Sequence, residues 1–203
     1  MNTLRRILLA APFALAALGG HALRAEELSL SEVSNYLNGL QTAQGAFTQI
    51  ASDGTISTGT IYIKRPGRIR FEYDPPEESM VIAGGGSLAI FDPRSNTGAE
   101  RYPLSETPLK IILQNNVNLA NERMVVGHTY DGTSTTVTAQ DPDHPEYGNI
   151  RLVFTDEPAL RQWIITDNTG SETTMVLGDM TVGGNIPNRL FNIIAEERAW
   201  AER

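Results

Sequence analysis

Apolar and polar positions alternate along much of this chain in short runs, the period expected of β-strands with one face buried. Strands are predicted over 46–51, 60–64, 68–73, 80–83, 87–91, 124–130, 133–139, 150–154, 162–166 and 173–177, all rich in β-branched and aromatic residues. Turn chemistry separates them. Gly84-Gly85-Gly86 and Asp131-Gly132 read as tight hairpins, and Asp167-Asn168-Thr169-Gly170 as a slightly longer one. The succession predicts an antiparallel meander rather than a parallel α/β sheet.

Two segments depart from this period. Ser29-Leu30-Ser31-Glu32 has the spacing of a capping box, and Leu30, Val33, Leu37 and Leu40 then recur along one helical face. Thr107-Pro108 supplies an N-cap followed by proline at the first helical position. Leu109, Ile112 and Leu113 then share one side with Ile111 beside them, before Asn115-Asn116 interrupts the run. Periodicity alone fits two readings: ordinary core helices plugging a curved sheet, or a lid over something the sheet encloses.

The stretch from Ile61 to Tyr73 carries the most information. Steps of two put Ile61, Ile63, Arg65, Ile69, Phe71 and Tyr73 in one phase, with Tyr62, Lys64, Arg68, Arg70 and Glu72 in the other. Arg65 is the anomaly. If the register survives Pro66-Gly67 it points at the interior; a bulge there turns it outward as an ordinary strand-end charge.

Composition then narrows the setting. Arg5 and Arg6 precede an apolar run over 7–18 and small residues, so residues 1–25 are expected to be a cleaved signal peptide, cut after Ala22 or Ala25. The run is shorter than the roughly 20 residues that span a bilayer, and none like it follows, so the mature chain is expected to be soluble. There is no cysteine, hence no disulfide and no cysteine-linked lipid anchor. Loss of Arg5, Arg6 and Arg24 leaves 13 basic against 24 acidic residues, a mature net charge of −11. Such a surface disfavours nucleic acid and anionic membranes. Residues 26–203 fit a single domain.

Four motifs in order behind the leader carry a resemblance. These are Gly45-Ala46-Phe47-Thr48-Gln49, the run from Gly59 through Lys64-Arg65-Pro66-Gly67 to Phe71, Ile90-Phe91-Asp92-Pro93, and Thr107-Pro108-Leu109. Together they resemble the LolA family of periplasmic lipoprotein carriers. Phe154, Trp163, Asp167, Gly170 and Ile186-Pro187-Asn188-Arg189-Leu190-Phe191 look like that family's C-terminal hairpins.

The resemblance implies an α+β, mainly β fold: an incomplete antiparallel β-barrel with short α-helices as a lid over an apolar cavity. It also implies a periplasmic chaperone, not an enzyme, that works as a monomer without cofactor. Such a chaperone takes the acyl chains of lipoproteins released by an inner-membrane ABC transporter and carries them to an outer-membrane acceptor, whose identity in this organism is open. By motif match Arg65 corresponds to the family's lid-latching arginine. Candidate cavity residues are Ile61, Ile63, Ile69, Phe71, Val33, Leu37, Leu109, Ile112 and Leu113; any of them can equally be plain core. The tail over 195–203 departs from the proline- and valine-rich ending of some members, reading as a short helix or a frayed end.

Competing classes remain at this point. Asp141-Pro142-Asp143-His144-Pro145-Glu146 gathers carboxylates and a histidine that could hold a divalent ion or do acid–base chemistry. A solvated, proline-stiffened loop is the plainer reading, and no metal is expected. No nucleophile or phosphate-loop motif supports a secreted hydrolase. A carrier of another lipid or glycolipid on the same scaffold is the nearer alternative.

Overall fold

A computed structural model describes residues 26–95, 98–120 and 123–202; the expected leader, residues 1–25, lies outside them. Among the described residues, eleven antiparallel strands form one sheet. They are β1 (Thr42–Ile50), β2 (Ile56–Lys64), β3 (Ile69–Tyr73), β4 (Met80–Gly84), β5 (Ser87–Phe91), β6 (Glu100–Pro103), β7 (Val125–Tyr130), β8 (Ser134–Gln140), β9 (Asn149–Thr155), β10 (Ala159–Thr166) and β11 (Glu172–Val182). The spatial order is β6-β5-β4-β3-β2-β1-β11-β10-β9-β8-β7, so two meanders meet where β1 pairs with β11. The ends β6 and β7 do not pair with each other, and the barrel is incomplete.

Each run predicted from alternation falls on a strand, and the strand not predicted is β6. All four of its residues are exposed, so it carries no apolar alternation to read.

Among the described residues, three α-helices cover the sheet: α1 (Leu30–Gly39), α2 (Leu109–Leu113) and α3 (Ile193–Ala201). The capping box on α1 is complete: the Ser29 hydroxyl accepts from the Glu32 amide at 3.2 Å, and Glu32 Oε2 accepts from the Ser29 amide at 2.8 Å. The start of α2 differs from the sequence expectation. Thr107 does not cap it; its hydroxyl donates backward to the Leu104 carbonyl at 2.9 Å, closing a short 3-10 turn, and Pro108 takes the N-cap position.

The sheet buries apolar side chains on both faces. On the inner face, residues of β1–β3, β8–β11 and the first two helices form one large cluster with Val117, Leu119 and Met124 from the segment that follows α2. On the outer face, Met80 and Ile82 of β4 and Ala89 and Phe91 of β5 pack against Ile186, Phe191 and Ile193 of the C-terminal segment. That segment is ordered into a clasp. Asn192 caps α3 through its side-chain oxygen, which accepts from the Ala195 amide at 3.1 Å, and Trp200 sets its ring 5.3 Å from that of Phe91. The approach is close enough that a β-carbon at Gly84 would overlap the Phe191 carbonyl.

Candidate functional site

The residues singled out as candidate cavity lining come together on the inner face. Ile61 stands opposite Phe71 and Ile63 opposite Ile69 across β2 and β3, so alternation turns all four to one side. Val33 and Leu37 of α1, and Leu109, Ile112 and Leu113 of α2, belong to the same cluster, and none of the nine exceeds 6% exposure. Aromatic rings deepen this interior: Phe47 meets Phe71 edge-on at 5.5 Å, Phe71 meets Trp163 at 6.3 Å, and Tyr36 of α1 meets Phe154 at 5.5 Å. The Tyr73 hydroxyl, at the margin, donates to Gln49 Oε1 at 2.5 Å, and burial pushes its pKa upward.

Arg65 is 5% exposed and points inward. The β2–β3 register runs from Gly59 to Ile63 without a bulge, and the Lys64 amide donates to the Arg68 carbonyl at 3.0 Å to close the turn. The turn holds the left-handed conformation at Gly67, φ 69°, which favours glycine. Arg65 therefore keeps the phase of Ile61 and Ile63.

The Arg65 guanidinium joins the ends of both inner helices. Nη1 donates to the Leu37 carbonyl near the end of α1. Nη2 donates at 2.6 Å to the carbonyl of Gln114, the residue that ends α2, and at 3.3 Å to Asn38 Oδ1. Carbonyls at helix C-termini are short of donors and lie at the negative end of the helix dipole, so a cation suits the Leu37 carbonyl, whose other donor is the Leu40 amide at 3.3 Å. Desolvation lowers the Arg65 pKa from its usual value, and no carboxylate partners it among its described hydrogen bonds. The turn backbone adds a further tie, as the Gly67 amide donates to the Leu113 carbonyl at 2.8 Å.

Residues that sequence reasoning passed over complete the closure. Asn38 is a two-way clip: its Nδ2 donates to the Val117 carbonyl at 2.8 Å while its Oδ1 accepts from the Val117 amide at 2.8 Å. The Ser34 hydroxyl donates to the Leu30 carbonyl at 2.7 Å and accepts from the Leu119 amide at 2.9 Å. Neither shows in periodicity, because a polar residue beside an apolar helical stripe is common.

The acidic loop 141–146 divides its charges among separate partners. Asp141 accepts from Lys110 of α2, which keeps its carboxyl below the usual carboxylate range. His144 pairs with Glu146 at 2.9 Å, which raises the pKa of the imidazole, and stacks on Tyr147 at 4.8 Å. Among the described residues no three His, Cys, Asp or Glu side chains converge as metal ligands. The loop thus acts on the lid helix, a link that spacing could not reveal.

Comparison with known proteins adds an independent line. The sequence profile of the family described as "Outer membrane lipoprotein carrier protein LolA" matches residues 38–194. A protein of Coxiella burnetii (strain RSA 331) named outer-membrane lipoprotein carrier protein is 32% identical over 200 residues, covering 94% of each chain. One of the same name from Cupriavidus pinatubonensis is 25% identical, covering 96% of this chain and 97% of its own. Among solved structures, a LolA superfamily protein of Nitrosomonas europaea is similar with a TM-score of 0.41 at 12% identity, over 81% of this chain and 98% of that one.

Proposed function

From the premise that the chain belongs to the LolA family of outer membrane lipoprotein carrier proteins, we propose how it carries its cargo and where. The protein is a lipoprotein carrier. It works in the periplasm as a monomer, by binding rather than by catalysis, and holds lipoprotein acyl chains against the inner-face cluster beneath α1 and α2.

The physics of the task sets the requirement. At about 0.8 kcal/mol per methylene, one long acyl chain resists water by roughly 10 kcal/mol, so a shuttle must shield it throughout. The inner-face residues are shut from solvent, so cargo reaches them only when the lid lifts. An inner-membrane ABC transporter supplies the acylated protein, and an outer-membrane acceptor takes it.

The observation that carries this reading is Arg65, a buried cation whose hydrogen bonds go to neutral carbonyls at the ends of both lid helices. When the lid lifts, those carbonyls turn to water and no buried carboxylate is stranded, which makes the latch reversible. Ile61, Ile63, Ile69, Phe71, Val33, Leu37, Leu109, Ile112 and Leu113 then exchange contacts with one another for contacts with acyl chains.

Mass spectrometry of the protein purified from its native periplasm tests the cargo. Acylated polypeptide is the expected species; free phospholipid or polyprenyl lipid in its place would make the protein a carrier of another lipid. Transfer assays test the latch. Arg65→Leu is expected to weaken the closed lid and so shift the balance between accepting and releasing lipoprotein, and transfer at the wild-type rate in both directions would remove Arg65 from the mechanism.

A further inference from the structure

Asn38 and Gly39, the last two residues of α1, form the one Asn-Gly pair in the chain. Asparagine before glycine is the arrangement most prone to deamidation, because glycine has no β-carbon to keep its amide nitrogen from the preceding side chain. Gly39 is exposed, and a β-carbon added to it would meet nothing within 4 Å. Access to the Gly39 nitrogen is thus unhindered from outside the helix, and the restraint lies on Asn38.

In the closed lid the Asn38 amide is pinned. Nδ2 donates to the Val117 carbonyl at 2.8 Å and to Asn116 Oδ1 at 3.4 Å, while Oδ1 accepts from the Val117 amide at 2.8 Å and from Arg65 Nη2 at 3.3 Å. Helical backbone geometry also keeps the side-chain carbonyl carbon away from the next nitrogen for as long as the last turn stays formed. These are the contacts that shut the lid: Asn38 joins α1 to the segment after α2, and Arg65 ties the ends of both helices.

We infer that Asn38-Gly39 is a deamidation site gated by the lid, protected while α1 is latched and reactive when it lifts. This goes beyond the carrier reading and rests only on its opening lid. The Gly39 nitrogen attacks Asn38 Cγ, and the new C–N bond closes a five-membered succinimide. The bond from Cγ to Nδ2 breaks, and that nitrogen leaves as ammonia with the proton from the Gly39 amide. Water then opens the ring: addition at Cγ leaves aspartate at position 38, and addition at the backbone carbonyl carbon leaves isoaspartate, with one extra carbon in the main chain. The aspartate product has no donor for the Val117 carbonyl and sets a carboxylate beside Arg65, so a latch made of neutral acceptors acquires a charged one.

Peptide mapping of the full chain during incubation at mildly alkaline pH, with enzymatic methylation to mark isoaspartate, follows conversion residue by residue. Asn168, exposed in the turn between β10 and β11 and followed by threonine, is the internal reference. Arg65→Leu should convert Asn38 roughly tenfold faster than the wild type while Asn168 keeps its rate, since deamidation and hydrogen exchange in α1 draw on the same open state. Adding Gly39→Ala should remove that acceleration. Urea below the unfolding transition gives the same comparison without touching Arg65: conversion of Asn38 should rise in step with α1 exchange. Quickened α1 exchange with no change at Asn38 overturns the site and leaves the carrier reading standing. Conversion as fast in the wild type as in Arg65→Leu overturns the gating, and acceleration that survives Gly39→Ala overturns the part given to glycine. If neither exchange nor conversion quickens, the latch falls first and the gated site with it.

Discussion

The lid on the inner face and the clasp on the outer face are each centred on a buried arginine, and the partners of the two arginines differ in kind. Arg65 sits at 5% exposure with carbonyl and amide oxygens as acceptors. Arg70, at 7%, is held by carboxylates, at 2.6 Å from Glu72 and 2.9 Å from Glu196 of α3, and donates to the Leu190 carbonyl at 3.0 Å. Arg101 repeats the pattern, with a two-pronged contact to Glu197 at 2.6 and 2.7 Å. Lifting the lid frees neutral dipoles that water solvates well. Lifting the clasp separates opposite charges and uncovers Met80, Ile82 and Phe91. One strand-pair hairpin, β2–β3, thus carries a cover held to carbonyls on one face and a cover held to carboxylates on the other.

The sharpest way to break this contrast is to attack the clasp. Phe191 is 5% exposed between the strands and α3, and its truncation to alanine in a packed site costs about 3 kcal/mol. Phe191→Ala should lower the unfolding free energy by that amount in urea titration. If the clasp is structural alone, lipid binding by the folded variant is unchanged. A loss under about 1 kcal/mol would mean that Phe191 contributes little to covering the outer face.

Arg65→Leu should act locally and more weakly. It removes a donor from the Leu37 carbonyl, which keeps the Leu40 amide at 3.3 Å, and from the Gln114 carbonyl, worth about 1–3 kcal/mol while the lid stays closed. Hydrogen exchange should therefore quicken by roughly tenfold or more in α1 and α2, with smaller change in β9–β11 and α3. Uniform loss of protection over both faces would show that Arg65 supports the whole fold rather than one cover.

What the sequence showed and what it hid follow the same division. Alternation revealed the strands because each buries one face, and the inner face was legible down to Ile61, Ile63, Ile69 and Phe71. Arg65 stood out because a charge in an apolar phase is anomalous. Arg70 did not, since it lies in the charged phase, and two of its partners come from the returning C-terminal segment. The tail over 195–203 was open to two readings, a short helix or a frayed end, because α3 packs on strands about a hundred positions earlier. Asn38, Gln114 and Lys110 were illegible for the same reason: their partners are set by tertiary approach, not by local spacing. The family profile ends at residue 194, so most of α3 falls outside the matched region.

The smallest effect concerns the second tie on α2, the ion pair between Lys110 and Asp141. Lys110 retains 33% side-chain exposure, so the pair is worth about 0.5–1 kcal/mol. Folding lowers the Asp141 pKa, chiefly through the Lys110 hydrogen bond, so the contribution is complete above the ordinary value of 3.8 and fades as pH falls through the lowered native value. The Arg65 bonds have no titrating acceptor, since their partners are carbonyls and an amide. Acid should thus loosen α2 through Asp141, and exchange in α2 at pH 3 relative to pH 6, after correction for intrinsic rates, should rise severalfold in the wild type. Asp141→Asn should show looser α2 already at pH 6 and a much smaller acid increment. A full acid increment in that variant would place the pH response elsewhere and leave the Arg65 contacts as the dominant restraint on the lid.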